Sequence, residues 1–272
     1  MLPAPDAQPE PAAGPGAGFD TVHRFDDRVD DYVRWRPGYP AALATWLAEK
    51  EGFVPPVDVV DLGCGTGKLA EVWLNAGHRV TGVDPNEHMR AASLSVLGDR
   101  AGFTAVDGTA EATGLPDACC DLVTAGQAFH WFDPRAAHAE CRRILRPGGG
   151  VALVWNTRDT SQCAFLAAYE RLLMNHAPEY KRLQQVQKGE PGEGRVSRFF
   201  APAACRVSHF ENLQVLDWEG VRGRALSASY VPREGPDNEA LMAGLRKAYE
   251  RHAVDGKVTL VYDSRMFFGR IA

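Results

Sequence analysis

The chain has 272 residues, 45% of them apolar and 24% charged, enough to bury a sizeable core and within the range of one α/β domain with additions. A formal net charge of −5 without a long Lys/Arg run gives no overall positive field for a phosphate backbone, which argues against a nucleic-acid partner. No apolar run reaches the roughly 18 residues needed to span a bilayer, and the first residues lack the basic-then-apolar order of a signal peptide, so a cytoplasmic protein with no membrane partner is expected.

In chain order, residues 1–18 are rich in Pro, Ala and Gly with almost no large apolar side chains, and are expected to form a disordered tail. One domain is expected over 19–272. A helical stretch in 25–35 is broken by Arg36-Pro37-Gly38-Tyr39-Pro40, and a second helix follows over 41–50. Residues 57–62 read as a buried parallel strand, 69–76 as a helix, 79–83 as a strand and 87–97 as a helix. Strands at 103–106, 120–125 and 151–155 and a helix at 136–145 continue the alternation, which predicts a doubly wound, mostly parallel sheet. Beyond 156 the alternation loosens. Helices near 163–175 and 237–253 flank a mobile loop expected at 181–195, and strands are expected at 214–219 and 258–268. The six cysteines lack paired CxxC spacing and read as reduced packing thiols, with no metal site expected.

The segment Asp61-Leu62-Gly63-Cys64-Gly65-Thr66-Gly67 closes the first strand and opens a helix, the place where open α/β sheets bind ligands. Asp84, 17 residues beyond Gly67, ends the second strand, where it can accept both hydroxyls of a ribose. A Walker A loop is ruled out because Leu62 stands where its first glycine belongs and Leu69 where its Ser/Thr belongs. A dinucleotide fingerprint would need a third glycine at Lys68, and Asp61 would repel a pyrophosphate but suits a sulfonium and an amino group.

On these residues, and on YVRWRPGYP (32–40), VDPNEHM (83–89), VDGTAEATGLPD (106–117), QAFHWFD (127–133), RILRPGG (143–149) and WNTRD (155–159), the sequence resembles the class I S-adenosylmethionine-dependent methyltransferases. The likeness is strongest to the type 11 small-molecule branch, which includes trans-aconitate methyltransferase-like proteins. It implies a Rossmann-like, seven-stranded, mostly parallel sheet with an N-terminal helical cover and a C-terminal insertion or lid. It implies S-adenosylmethionine as cofactor, with the loop of Gly63, Gly65 and Gly67 behind the methionine part and Asp84 on the ribose. Met89 would pack on the adenine, the turn of Asp107, Gly108, Thr109 and Ala110 would edge it, and Gln127 would lie beside the methionine part. Arg36 would reach the cofactor carboxylate, unless it is a surface arginine before a turn.

The reaction expected is methyl transfer to a small organic acceptor, on an oxygen of a carboxylate or hydroxyl, by in-line displacement with positioning as the main catalytic effect. His130 is the candidate base, the alternative being that it packs with Trp131 under the acceptor wall. Arg158 can anchor an anionic acceptor or pair with Asp159 or another carboxylate. Tyr32, Trp131 and Trp155 are candidate walls or plain core. Segments 19–40 and 157–198 are expected to cover the site. An NAD(P)-dependent oxidoreductase and a non-catalytic S-adenosylmethionine-binding protein stay open as alternatives, and neither acceptor nor oligomeric state is legible.

Overall fold

A computed structural model describes residues 29–182 and 192–271. The tail expected at 1–18 and the central part of the loop expected at 181–195 lie outside the described residues. The chain opens with α1 (Val29–Trp35) and α2 (Ala42–Glu51). There follow β1 (Asp58–Leu62), α3 (Ala70–Asn75), β2 (Arg79–Val83), α4 (Glu87–Leu97), β3 (Phe103–Val106), β4 (Cys120–Gly126), α5 (Pro134–Ile144) and β5 (Leu145–Arg158). The later elements are α6 (Ala164–His176), α7 (Gly192–Phe200), β6 (Arg206–Leu216), α8 (Trp218–Leu226), α9 (Pro236–His252) and β7 (Val258–Gly269).

The seven strands form one sheet in the order β3-β2-β1-β4-β5-β7-β6. The first five are parallel, and β7 runs antiparallel between β5 and β6. From β1 the chain winds outward through β2 to β3, then returns to β4 and winds the other way. The crevice between the carboxyl ends of β1 and β4 is therefore the topological switch point where such sheets take ligands. Helices cover both faces. Leu43, Leu47, Trp73, Leu97 and Phe268 form one core layer, and Val60, Phe129, Ile144 and Phe200 belong to the other. A third cluster, with Leu166, Tyr169, Leu173, Leu241, Leu245 and Tyr262, gathers α6, α8 and α9 around the start of β7.

Local chemistry sets the helix starts. Asn86 Oδ1 accepts from the Met89 amide at 2.9 Å to begin α4. Asp133 accepts from the amides of Arg135 and Ala136 at 2.8 and 3.0 Å, with Pro134 at the first helical position of α5. Asp217 accepts from the Gly220 amide at 2.8 Å and begins α8.

The structure corrects the sequence reading mainly after β4. The strand expected at 151–155 begins at Leu145, and its register shifts between Cys120 and Leu122 of β4, which lets Pro147, Gly148 and Gly149 remain within it. The strand expected at 214–219 is β6, which pairs with β7 from Arg206 opposite Phe268 to Leu216 opposite Val258 and stops where Asp217 caps α8. Its outer positions, with Val207, His209, Glu211, Leu213 and Val215 exposed, blur the signal because β6 is an edge strand. Helix α7 occupies the end of the expected loop, because Val196, Phe199 and Phe200 are buried against the sheet. Of the expected cover, 157–158 belong to β5 and 192–198 to α7.

The amino-terminal segment is fastened to the far end of the sheet. Gly38 carbonyl accepts from the side-chain amides of Asn156 at 3.0 Å and Asn212 at 2.8 Å, and the Trp35 carbonyl accepts from Gln214 Nε2 at 2.8 Å. The Trp35 indole seats over Gly220 and Gly223 of α8, and a methyl group at Gly223 would overlap the ring. Tyr32 and Arg36 of the first segment are thereby set facing Arg224.

Candidate active site

A cavity of about 540 Å³ opens at the carboxyl ends of β1, β2, β4 and β5, within the size range of small-ligand sites. At one end stands Asp84. Its Oδ2 accepts from the Gly65 amide at 2.8 Å and its Oδ1 from the Asn86 amide at 2.9 Å, which fixes the carboxylate while each oxygen keeps a lone pair for a ligand hydroxyl. Asp84 is buried, and burial raises its carboxyl above the usual range although both amides pull the other way. Gly65 has a left-handed backbone, and a Cβ there would meet no atom within 4 Å, so its bare face looks onto open space. Gly63 and Met89 line the cavity beside it.

Other expected cofactor residues support the site from behind. Asp61 does not line the cavity. It lies beneath the loop at 1% exposure, accepts from Thr124 Oγ1 at 2.7 Å, and burial pushes its carboxyl up to about 7. Gly67 turns towards Leu97 and Ser93 of α4. Asp107 pairs with Arg90 at 2.8 Å, and Arg90 also donates to the Asp84 carbonyl at 2.8 Å, joining the ends of β2 and β3. Gly108 packs by its backbone against Thr113 and Val83, Thr109 turns onto Ala112, and Ala110 is buried. None of these four is in the cavity wall.

Gln127, directly after β4, is a non-glycine residue with φ of 58°, a strained conformation that its neighbours hold in place. Its side-chain Nε2 donates to the Asn156 carbonyl at 2.8 Å, and its backbone N–H donates to the Val154 carbonyl at 2.9 Å. His130 and Trp131 follow in a short 3-10 turn, Phe129–Trp131, with ring centroids 4.4 Å apart, and both line the cavity. Trp155 stands edge-on to Phe129 and Phe267 with its remaining surface on the cavity.

The other end is lined by arginines and tyrosines. Arg158 donates to Glu170 Oε2 at 3.0 Å, Tyr180 Oη at 2.8 Å and Tyr230 Oη at 3.3 Å. Its carboxylate partner is therefore Glu170, while Asp159 is occupied by Ser161 and Gln162. Arg36 lies on the Tyr32 ring, 4.8 Å from its centroid, and donates from Nη2 to the Ser227 carbonyl at 3.1 Å. Burial, and then the charge of Arg224, lower its pKa from the ordinary arginine value. Arg224 on α8 is 5% exposed and donates from Nε to Tyr262 Oη at 3.3 Å. Burial would raise the Tyr230 phenol, but Arg158, Arg224 and Arg36 together outweigh it and hold the group below its usual value.

Sequence reasoning thus finds the wall residues Tyr32, Arg36, Gly63, Gly65, Asp84, Met89, Gln127, His130, Trp131, Trp155 and Arg158. It misses Glu170, Tyr180, Arg224 and Tyr230, which come from α6, from α8 and from the stretches between named elements. The helix-start pattern of Asp217 before α8 is a signal for the element that carries Arg224, but nothing local marks the arginine as buried. Among the described residues, no group of three or more His, Cys, Asp or Glu side chains could hold a metal, and no helix is long and apolar enough to cross a membrane.

Residues 60–153 match the family described as a methyltransferase domain. An uncharacterized methyltransferase of Mycobacterium tuberculosis is 42% identical over 135 residues, 50% of this chain and 53% of that protein. The chain thus spans about half the length of the first curated relatives it matches. A ubiquinone biosynthesis O-methyltransferase of Aeromonas salmonicida is 30% identical over 190 residues, 68% of this chain and 74% of the relative. A solved structure from Anaeromyxobacter dehalogenans, assigned to the type II methyltransferases, superposes with a TM-score of 0.66 at 28% identity, covering 87% of this chain and 98% of the other.

Proposed function

Because this chain belongs to the class I S-adenosylmethionine-dependent methyltransferases, we propose that it methylates an oxygen of a small organic acceptor held in the arginine- and tyrosine-lined end of the cavity. The observation that carries this reading is Asp84, fixed by two backbone amides in the cavity wall with a lone pair left on each oxygen. When bound, S-adenosylmethionine supplies a methyl group already activated by its sulfonium. An O-methyltransferase among the relatives favours oxygen over nitrogen or carbon.

In this reading Asp84 accepts the ribose hydroxyls, Gly65 presents its bare face to the methionine part beside Gly63, whose missing Cβ leaves room for Ala128, and Met89 packs on the adenine. Arg36 takes the cofactor carboxylate, for which its buried Nε, without a hydrogen-bond partner, is suited. The residues fit the cofactor in charge as well as shape. Trp131, Trp155 and Tyr32 exclude water from the acceptor, which lets its oxygen approach without a competing hydration shell. For a hydroxyl acceptor His130 takes the proton; a carboxylate needs no base. Residues 29–40, pinned by Asn156, Asn212 and Gln214, together with the stretch from Thr160 to Tyr180, form the cover that selects the acceptor.

Calorimetry with S-adenosylhomocysteine tests the cofactor part. The wild type should bind, and Asp84→Ala should lose about 1.5 to 3 kcal/mol, the range for hydrogen bonds to a charged group. Unchanged affinity in a folded Asp84→Ala variant would remove Asp84 from the site. Transfer of radiolabelled methyl into a metabolite extract tests the reaction.

A further inference from the structure

We propose that Arg224 anchors a carboxylate of the acceptor, and that the acceptor is a small organic acid with a flat apolar body. The inference rests on the methyltransferase reading and names the class of molecule its cavity takes.

Three arginines, Arg36, Arg158 and Arg224, face the arginine- and tyrosine-lined end of the cavity, and Glu170 is the carboxylate that meets them there. Glu170 is already committed, taking Arg158 on Oε2 and Tyr180 Oη on Oε1 at 2.5 Å. Arg36 is assigned to the cofactor carboxylate. Among the described residues Arg224 is then the cation of this end without a carboxylate partner, 5% exposed, with Nη1 buried and making no hydrogen bond. A buried guanidinium in that state is costly unless an anion arrives to meet it. The arrangement is imposed by the fold: Tyr262 Oη accepts from Nε, and the α1–α8 contact through Trp35 and Gly223 keeps Arg36 so near that burial first, and then the charge of Arg224, lowers the Arg36 pKa.

The walls indicate the rest of the acceptor. Tyr32, Trp131, Trp155, Tyr180 and Tyr230 present rings around this space, which favours a flat apolar body over a compact, strongly hydrated ion. A planar guanidinium matches a carboxylate edge, so the charged group and the body are read by different parts of the wall.

The test uses the full-length protein and calorimetric titration of benzoate and cinnamate, with benzamide, acetate and inorganic phosphate as controls, each with and without S-adenosylhomocysteine. The two aromatic acids should bind and the controls should bind at least roughly tenfold more weakly. Arg224→Met should weaken the acids roughly 30-fold or more, the loss expected when one side of a buried charge pair is removed, and Arg224→Lys should fall between. Both variants should bind S-adenosylhomocysteine within about twofold of wild type, which also shows that they fold. Failure of the wild type to bind S-adenosylhomocysteine overturns the methyltransferase reading and leaves the acid titrations to judge Arg224. If the cofactor product binds but no acid does, or acids bind Arg224→Met as well as wild type, the anchor is wrong. A loss of S-adenosylhomocysteine affinity in Arg224→Met would assign Arg224 to the cofactor. Phosphate or acetate binding as tightly as cinnamate would refute the flat organic acid.

Discussion

The two ends of the cavity are built in different ways. Around Asp84 the partners are backbone groups close in the fold: the Gly65 and Asn86 amides fix the carboxylate, and the Arg90 side chain fixes the strand end behind it. Around Arg158 and Arg224 the partners are side chains from distant parts of the chain, with Tyr180, Tyr230, Glu170 and Tyr262 meeting arginines from β5 and α8. The first end is one carboxylate held by main-chain amides, groups that positions 65 and 86 supply through the path of the chain. The second is made of side chains that meet only through packing, with Tyr262 itself buried in the core on β7. The first end therefore depends on the path of the backbone and the second on the identity of each side chain.

The largest effect expected at the cofactor end comes from Asp61. Its folded-state carboxyl is raised from 3.8 to about 7 by burial, so the folded protein binds the proton more tightly than the unfolded chain does. Stability should therefore fall as pH rises from about 4 to about 7 and then level off, by at most about 4 kcal/mol for a shift of this size. Glu140, whose carboxyl is held down to about 2 chiefly by Arg143, acts in the opposite sense but only below its ordinary value of 4.5. Urea midpoints at pH 5 and pH 8 separate the two. Asp61→Asn should flatten the difference between those midpoints; an equal slope in both proteins would show that Asp61 ionises normally and carries no such penalty.

At the acceptor end the sharpest structural perturbation is Gly223→Ala, because the new methyl would overlap the Trp35 ring. The expected loss is about 1 to 3 kcal/mol of stability, with Trp35 fluorescence shifting towards solvent. Adding Trp35→Leu should recover part of that loss, since the two changes touch the same contact. Additive losses would mean that α1 is held to α8 by something other than this packing.

The smallest effect separates packing from charge at the same junction. Arg34 and Glu219 join α1 to α8 at 3.1 Å, with side chains 64% and 65% exposed. Replacing Arg34 by Ala should change stability by no more than about 0.5 kcal/mol, because water screens such a pair. A loss above about 1 kcal/mol in chemical denaturation would make the junction electrostatic and weaken the case built on Trp35.

The sequence alone determined the five parallel strands, the helices between them and the loop at Gly63–Gly67 followed by Asp84, because each depends on local spacing: buried runs, capping residues and glycines at fixed offsets. It also marked Arg36, His130, Trp131 and Arg158 as residues near the site, through their place just beyond helix or strand ends. Tertiary structure decided which of the marked groups face the cavity. Asp61, at the end of β1, and Gly67, in the loop with Gly63 and Gly65, face the core, a distinction that depends on Thr124 and α4 packing against them. Only the folded chain shows that Arg158 pairs with Glu170 and that Arg224 has no such carboxylate partner among the described residues. Burial and pairing of side chains as far apart in sequence as Arg158 and Arg224 are properties of packing, and no local pattern encodes them.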